Sequence, residues 1–172
     1  MRILRLAAAM AAGVLAAAPA WAIRAPVVMP PAGAELPSAS RHCYVKVLEG
    51  ARPDLRRARL YGPGRLAVEV PGAREMAWVG ETLVFSVSPA SGRPGIYAWD
   101  CGAATVVRIL GPERVNVAHP GGTDLYRLVE IDGDILYYAH APDVDSPTLE
   151  RDLQRGIEAL RLRPAHPRIS MR

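Results

Sequence analysis

Lysine, phenylalanine, histidine and cysteine are all scarce in this 172-residue chain, and each scarcity removes a class of explanation. Lys46 stands alone beside 20 arginines, so basicity is spread along the chain as guanidinium and is not gathered into a lysine-rich tail. The densest basic stretch, Arg52, Arg56, Arg57, Arg59 and Arg65, reads as a solvated face or a guarded strand edge. The four histidines, His42, His119, His140 and His166, show no His-x-His or His-Glu-x-x-His spacing, which leaves a metalloprotease-type centre without ligands. No Gly-x-Ser-x-Gly occurs, so an α/β-hydrolase elbow is excluded, and His119-Pro120-Gly121-Gly122 reads as a turn. Two cysteines without adjacent histidines make a poor soft-metal site. No cofactor is expected.

Only one long apolar run is present. Residues 6–18 follow Arg2 and Arg5 and precede Pro19-Ala20-Trp21-Ala22, the three zones of a secretory signal cleaved after Ala22. The run is shorter than the roughly 20 residues a membrane span needs, so no integral membrane segment is expected once residues 1–22 are removed. The first cysteine lies far beyond it, at Cys43, which argues against a lipid anchor. The mature chain is then 172 − 22 = 150 residues, the size of one domain. Its charge is 19 basic (21 − 2) against 17 acidic residues, which favours no particular partner. A periplasmic or secreted location follows, with nucleic acid an implausible partner. In such a compartment Cys43 and Cys101 are expected to form a disulfide.

Residues 23–41 are rich in Pro and Ala and read as an extended leader. From 42 to 163 short β-rich runs alternate with Gly/Pro punctuation. Strands are expected at 43–48, 55–61, 65–70, 75–79, 82–88, 96–100, 105–110, 114–118, 125–131, 135–139 and 157–162. That is more than one sheet usually holds, so the expectation is an all-β fold of antiparallel sheets: blade-like as in a partial propeller, or a small sandwich or barrel. Asp132-Gly133 predicts a type I′ hairpin, Pro71-Gly72 a type II turn and Gly80-Glu81 a Gly-first hairpin. One short helix is expected at 147–155, with Ser146 as N-cap, Pro147 at its first position and Gly156 as its stop; continuation to Leu160 is the competing reading. Residues 164–172 read as a flexible tail.

Two stretches echo each other when aligned on glycine. One runs Trp78-Val79-Gly80-Glu81-Thr82-Leu83-Val84-Phe85-Ser86 and then Gly95-Ile96-Tyr97-Ala98-Trp99-Asp100. The other runs Ile131-Asp132-Gly133-Asp134-Ile135-Leu136-Tyr137-Tyr138-Ala139 and then Gly156-Ile157-Glu158-Ala159-Leu160-Arg161. The first resembles one blade of the periplasmic β-propellers of the TolB type, and the resemblance extends over about 75–110 and more faintly 125–162. The chain departs from that pattern at the turn, where Gly80-Glu81 replaces a Ser-Pro-Asp-Gly element. A closed propeller needs at least four blades of roughly 40 residues, whereas this chain has room for three. The resemblance therefore implies an incomplete ring that must self-associate, borrow blades or collapse into a sandwich or barrel.

The remaining candidate sites are modest. Asp132, Asp134, Asp143 and Asp145, with Glu150 nearby, form an acidic region of the kind that holds calcium outside cells, though turn formation already accounts for the first two. Trp78, Tyr97 and Trp99, with Tyr137 and Tyr138, are expected to pack between strands; a carbohydrate- or peptide-binding groove would use the same residue types. The functional expectation is a non-enzymatic interaction or structural module of the cell envelope that offers strand edges to a protein partner or to itself. Its rival is a periplasmic enzyme or accessory subunit with His140, Asp143 and Asp145 as first residues to test.

Overall fold

The computed structural model describes residues 24–52, 55–65, 67–112 and 124–162. The expected signal (1–22), the strand expected at 114–118, His119, His166 and the expected tail at 164–172 lie outside these residues.

Among the described residues twelve strands form three four-stranded antiparallel sheets, accompanied by one α-helix. The first sheet holds β2 (Glu35–Pro37), β3 (Tyr44–Leu48), β4 (Arg57–Tyr61) and β5 (Ala67–Pro71) in that order. The middle sheet holds β6 (Ala73–Val79), β7 (Thr82–Val87), β8 (Gly95–Asp100) and β9 (Val107–Leu110). The third is ordered β1 (Arg24–Ala25), β10 (Leu125–Asp132), β11 (Ile135–Ala141) and β12 (Ile157–Arg161). Helix α1 (Leu149–Arg155) lies between β11 and β12. The fold is all-β, and among the described residues the sheets do not close into a barrel.

Period-two patterning explains how the sheets stack. In β7, Leu83, Phe85 and Val87 face the first sheet and pack with Val45, Val47, Ala58 and Leu60. Val84 faces the opposite way, with Ala77 and Ile96, onto Tyr126, Leu128, Ile131, Leu136 and Tyr138 of the third sheet. The middle sheet is thus buried on both faces, which is why Thr-Leu-Val-Phe-Ser-Val reads as an almost unbroken apolar run. The first sheet alternates cleanly because its outer face meets solvent. Val45, Val47, Ala58 and Leu60 point in, while Glu35, Lys46, Arg59 and Glu69 form a row across its four strands. Three ion pairs link that face: Lys46–Glu35 at 3.1 Å, Arg57–Glu69 at 3.0 Å and Arg59–Glu69 at 2.9 Å. On the outside of the third sheet, Leu125, Ala139 and Ala141 are covered by Leu153 of α1, with Leu149 and Val144 packed alongside. Among the described residues, charge thus covers much of the outer face of the first sheet and α1 covers part of the outer face of the third.

Described residues of the Pro/Ala-rich stretch pair with all three sheets. Arg24 and Ala25 pair with Asp132 and Ile131 in the third sheet. Val28 and Met76 exchange two backbone hydrogen bonds (2.9 and 2.8 Å) with the middle sheet. Glu35, Leu36 and Pro37 pair with Lys46, Val45 and Tyr44 in the first. Residues 24–37 thereby run along the leading strand of each sheet in turn. Proline is compatible with this course because only one side of the segment is paired.

One turn departs from expectation. At the β10–β11 hairpin the central residues are Gly133-Asp134, since Asp132 pairs with Ile135. Only Gly133 has positive φ (61°), so the turn is Gly-first and not an Asp-Gly type I′. It matches the β6–β7 turn, where Val79 pairs with Thr82 around Gly80 (φ 61°) and Glu81. The glycine-aligned echo thus corresponds to two hairpins of one type, each followed by a third antiparallel strand. At Pro71-Gly72 the buried Gly72 takes the positive φ (73°) that the expected type II turn requires, and it carries the chain from the first sheet to the middle one. An added Cβ there would meet Ser91 Cβ at 2.8 Å, so bulk is disfavoured as well as φ. The α-helix begins at Leu149, two residues later than expected. Ser146 Oγ accepts the Thr148 N–H (3.2 Å) as a cap would, but Leu149 N–H bonds the Ser146 carbonyl, three residues back, which makes the entry a tighter turn. Gly156 ends the helix, and 157–161 is strand.

Candidate functional site

Many polar groups singled out by the sequence are occupied internally. Cys43 and Cys101 form a disulfide (Cα–Cα 5.7 Å) joining the start of β3 to the end of β8, hence the first sheet to the middle one. Beside it Gly62 and Gly102 meet backbone to backbone; a Cβ on Gly62 would lie 2.8 Å from Gly102 Cα. The Glu81 carboxylate of the β6–β7 turn reaches the β2–β3 loop and accepts from Ser38 Oγ (2.8 Å), Ser40 N–H (2.8 Å) and Ser40 Oγ (2.9 Å). Burial pushes this carboxyl up, but the hydrogen bonds outweigh it and hold it below the usual glutamate range. The turn residue that departs from the propeller-type pattern thus fastens two sheets together.

Trp99 is buried and donates its indole N–H to the Ala103 carbonyl (2.8 Å); Trp78 meets it edge-on at 6.2 Å and donates to the Leu36 carbonyl (3.1 Å). Tyr97 stacks on Phe85 at 5.9 Å, and its hydroxyl donates to the Arg93 carbonyl. All three pack in the interface between the first and middle sheets. The four aspartates expected to form one acidic region are not brought together. Asp132 and Asp134 precede β11 and Asp143 and Asp145 follow it, so the seven-residue strand holds the pairs about 20 Å apart or more. Asp134 Oδ2 lies 3.3 Å from Arg161 Nε, and Asp143 Oδ1 accepts the Asp145 N–H (3.0 Å). Among the described residues no group of three or more His, Cys, Asp or Glu is placed to hold a metal. His140 Nε2 lies 2.9 Å from Asp124 Oδ1, and its ring stacks on Tyr126. Sequence reasoning missed the Asp124 partner because the pairing runs across β10 and β11.

One buried carboxylate also escaped notice. Glu75 accepts from Ser86 Oγ within the middle sheet and from Arg127 Nε (3.3 Å) of the third, with Arg74 at 3.8 Å. It links the two sheets electrostatically and is fully engaged in doing so.

Among the described residues the last strand of each sheet is unpaired on its outer side. β5 is guarded by Pro71 and by Glu69, whose carboxyl the Arg59 hydrogen bond holds below its ordinary range. β9 exposes Val107 at 63% but shifts register against β8, which spoils a regular pairing template. β12 is regular: Ile157, Glu158, Ala159, Leu160 and Arg161 pair with Ala139, Tyr138, Tyr137, Leu136 and Ile135 without a bulge. Leu162 N–H donates to Asp134 O (2.7 Å), which sets the phase of the ladder. Glu158 and Leu160 therefore bond inward to β11, and the backbone N–H and C=O of Ile157, Ala159 and Arg161 point outward. Among the described residues nothing pairs on that side. Ile157 is 52% exposed.

The inner side of β12 is tied by chemistry that titrates. The Tyr138 hydroxyl donates to Glu158 Oε2, and burial, then that bond, push its pKa up to about 12. A phenol whose folded pKa exceeds its unfolded value near 10 stabilises the fold below pH 10, and that contribution falls as pH rises from about 10 towards 12. Denaturant midpoints should decline over this window, and the decline should be shallower in Tyr138→Phe. Equal slopes in the two proteins would remove Tyr138 as the cause.

Among the described residues no helix is long and apolar enough to cross a membrane. No protein-family model, no curated protein and no solved structure matches this chain.

Proposed function

We propose that the chain is an exported, non-enzymatic interaction module of the cell envelope, freed of residues 1–22, that binds a protein partner by adding a strand to the outer edge of β12. The observation that carries this reading is the open side of β12: five residues in regular register, three of them turning backbone donors and acceptors outward, with Ile157 exposed beside them. Main-chain hydrogen bonds of this kind give affinity, and pockets for alternate side chains give specificity. The inter-sheet disulfide supports a periplasmic or secreted setting, since such bonds persist where the environment is oxidising. We read the three sheets as a short arc of blade-like units, a reading supported by the two matching Gly-first hairpins.

The test compares the mature, oxidised protein with its Ala159→Pro variant as baits in periplasmic extract. Proline there removes an outward N–H and leaves the bonds of Glu158 and Leu160 to β11 intact. A protein retained by the first bait and lost from the second is the expected result. Retention of the same partner by both baits overturns edge binding.

A further inference from the structure

The register of β12 also specifies a partner, and we infer that this partner is a second copy of the chain, paired antiparallel across a two-fold axis through Ala159; this rests on the edge-binding reading above. A two-fold antiparallel pairing must place one residue opposite its own counterpart, because directly opposed residues share a face of the sheet. In Ile157-Glu158-Ala159-Leu160-Arg161 the choice of centre is narrow. Centring on Glu158 opposes two carboxylates, and centring on Arg161 opposes two guanidinium groups; like charges directly opposite are destabilising. Centring on Ile157 or Leu160 carries part of each strand beyond the end of the other. Centring on Ala159 overlaps all five residues, sets a small side chain on the axis, and brings Ile157 opposite Arg161 and Glu158 opposite Leu160 of the second copy. No like charges then face each other.

The phase of the ladder agrees with that centre. Ile157, Ala159 and Arg161 are the residues whose backbone groups point outward, so the pairs Ala159–Ala159, Ile157–Arg161 and Arg161–Ile157 each exchange two hydrogen bonds, about six in all. The result is a continuous eight-stranded sheet, two copies of β1-β10-β11-β12 joined at their last strands. The arrangement is isologous and closes on itself, so it yields a dimer and not a fibre. The aliphatic stem of Arg161 can lie along the exposed Ile157 of its neighbour while its head keeps Asp134.

Sedimentation equilibrium of the mature, oxidised chain over a wide concentration range tests this directly. Monomer and dimer should interconvert with concentration. Ala159→Pro, which removes outward donors, and Ala159→Glu, which opposes two carboxylates on the axis, should each raise the dissociation constant at least about tenfold. Val107→Glu on the β9 edge should leave it unchanged. Circular dichroism and an intact Cys43–Cys101 bond identify variants that are folded and can be scored. A wild-type chain that stays monomeric, or a dimer indifferent to both Ala159 variants, overturns the inference. A monomeric wild type that nonetheless captures a different protein through Ala159 overturns self-pairing alone and leaves the edge-binding reading standing.

Discussion

Reduction of the Cys43–Cys101 bond, or its replacement by paired alanines, is expected to lower the unfolding free energy by about 4 kcal/mol. The bond closes a loop of 58 residues' separation, and the loss follows from the chain entropy such a loop restores to the unfolded state. Its position sharpens the expectation. Cys43 is fully buried in the core between the first two sheets, so a reductant reaches it only after local opening. Immediately beside it, Gly62 and Gly102 are in backbone contact, and the Glu81 carboxylate grips Ser38 and Ser40 nearby in the chain. These contacts assume that the two sheets are already held at this separation. A domain of this size typically has only 5–15 kcal/mol in total, so the reduced protein should show a large fall in guanidinium midpoint. An unchanged midpoint after verified reduction would mean that the interface between the first and middle sheets is self-sufficient.

Trp99→Ala should cost about 3–5 kcal/mol, the range for deleting a large aromatic from a packed core. The indole is 1% exposed and shares a buried cluster with Cys43, against which Cys101 also packs. Its deletion opens a void, leaves the Ala103 carbonyl without its donor, and removes the edge-on partner of Trp78. Trp99→Phe separates these effects, because it keeps much of the apolar volume while still abandoning the carbonyl, and should cost less than half as much. Since Trp99 and the disulfide share one interface, the Trp99→Ala loss measured on the reduced protein should differ from that on the oxidised one by at least about 0.5 kcal/mol. Urea or guanidinium titrations of the four states give the coupling. Strict additivity would show that the two features stabilise independent parts of the fold.

Most strand positions were legible because their cause is local. Alternation in Tyr-Val-Lys-Val-Leu and Arg-Ala-Arg-Leu-Tyr reports a half-buried strand wherever the partner lies, and Gly80 marks a turn because a positive φ is costly for other residues. The stretch 157–161 was ambiguous for an equally physical reason: Ile157 and Leu160 satisfy helical spacing, and only pairing with β11 selects the extended form. The pairing of residues 24–37 was not legible because four prolines at 26, 30, 31 and 37 signal lost donors, whereas a segment paired on one side can spare them. The acidic region misled because nearness in sequence across a strand of seven residues is distance in space.

The sequence by itself determined the class of structure: strands by period-two hydrophobicity, bends by glycine and proline, a short helix entered near Ser146, and a cysteine pair suited to one crosslink. Tertiary structure alone decided that the middle sheet is buried on both faces, that Glu75 meets Arg127 and His140 meets Asp124, that residues 24–37 bind all three sheets, and that β12 is regular and, among the described residues, unpaired on its outer side. Those outcomes depend on which surfaces meet after the strands have formed. Hydrogen bonding between strands and packing between sheets join residues far apart in the chain, and no local pattern encodes the choice among such partners.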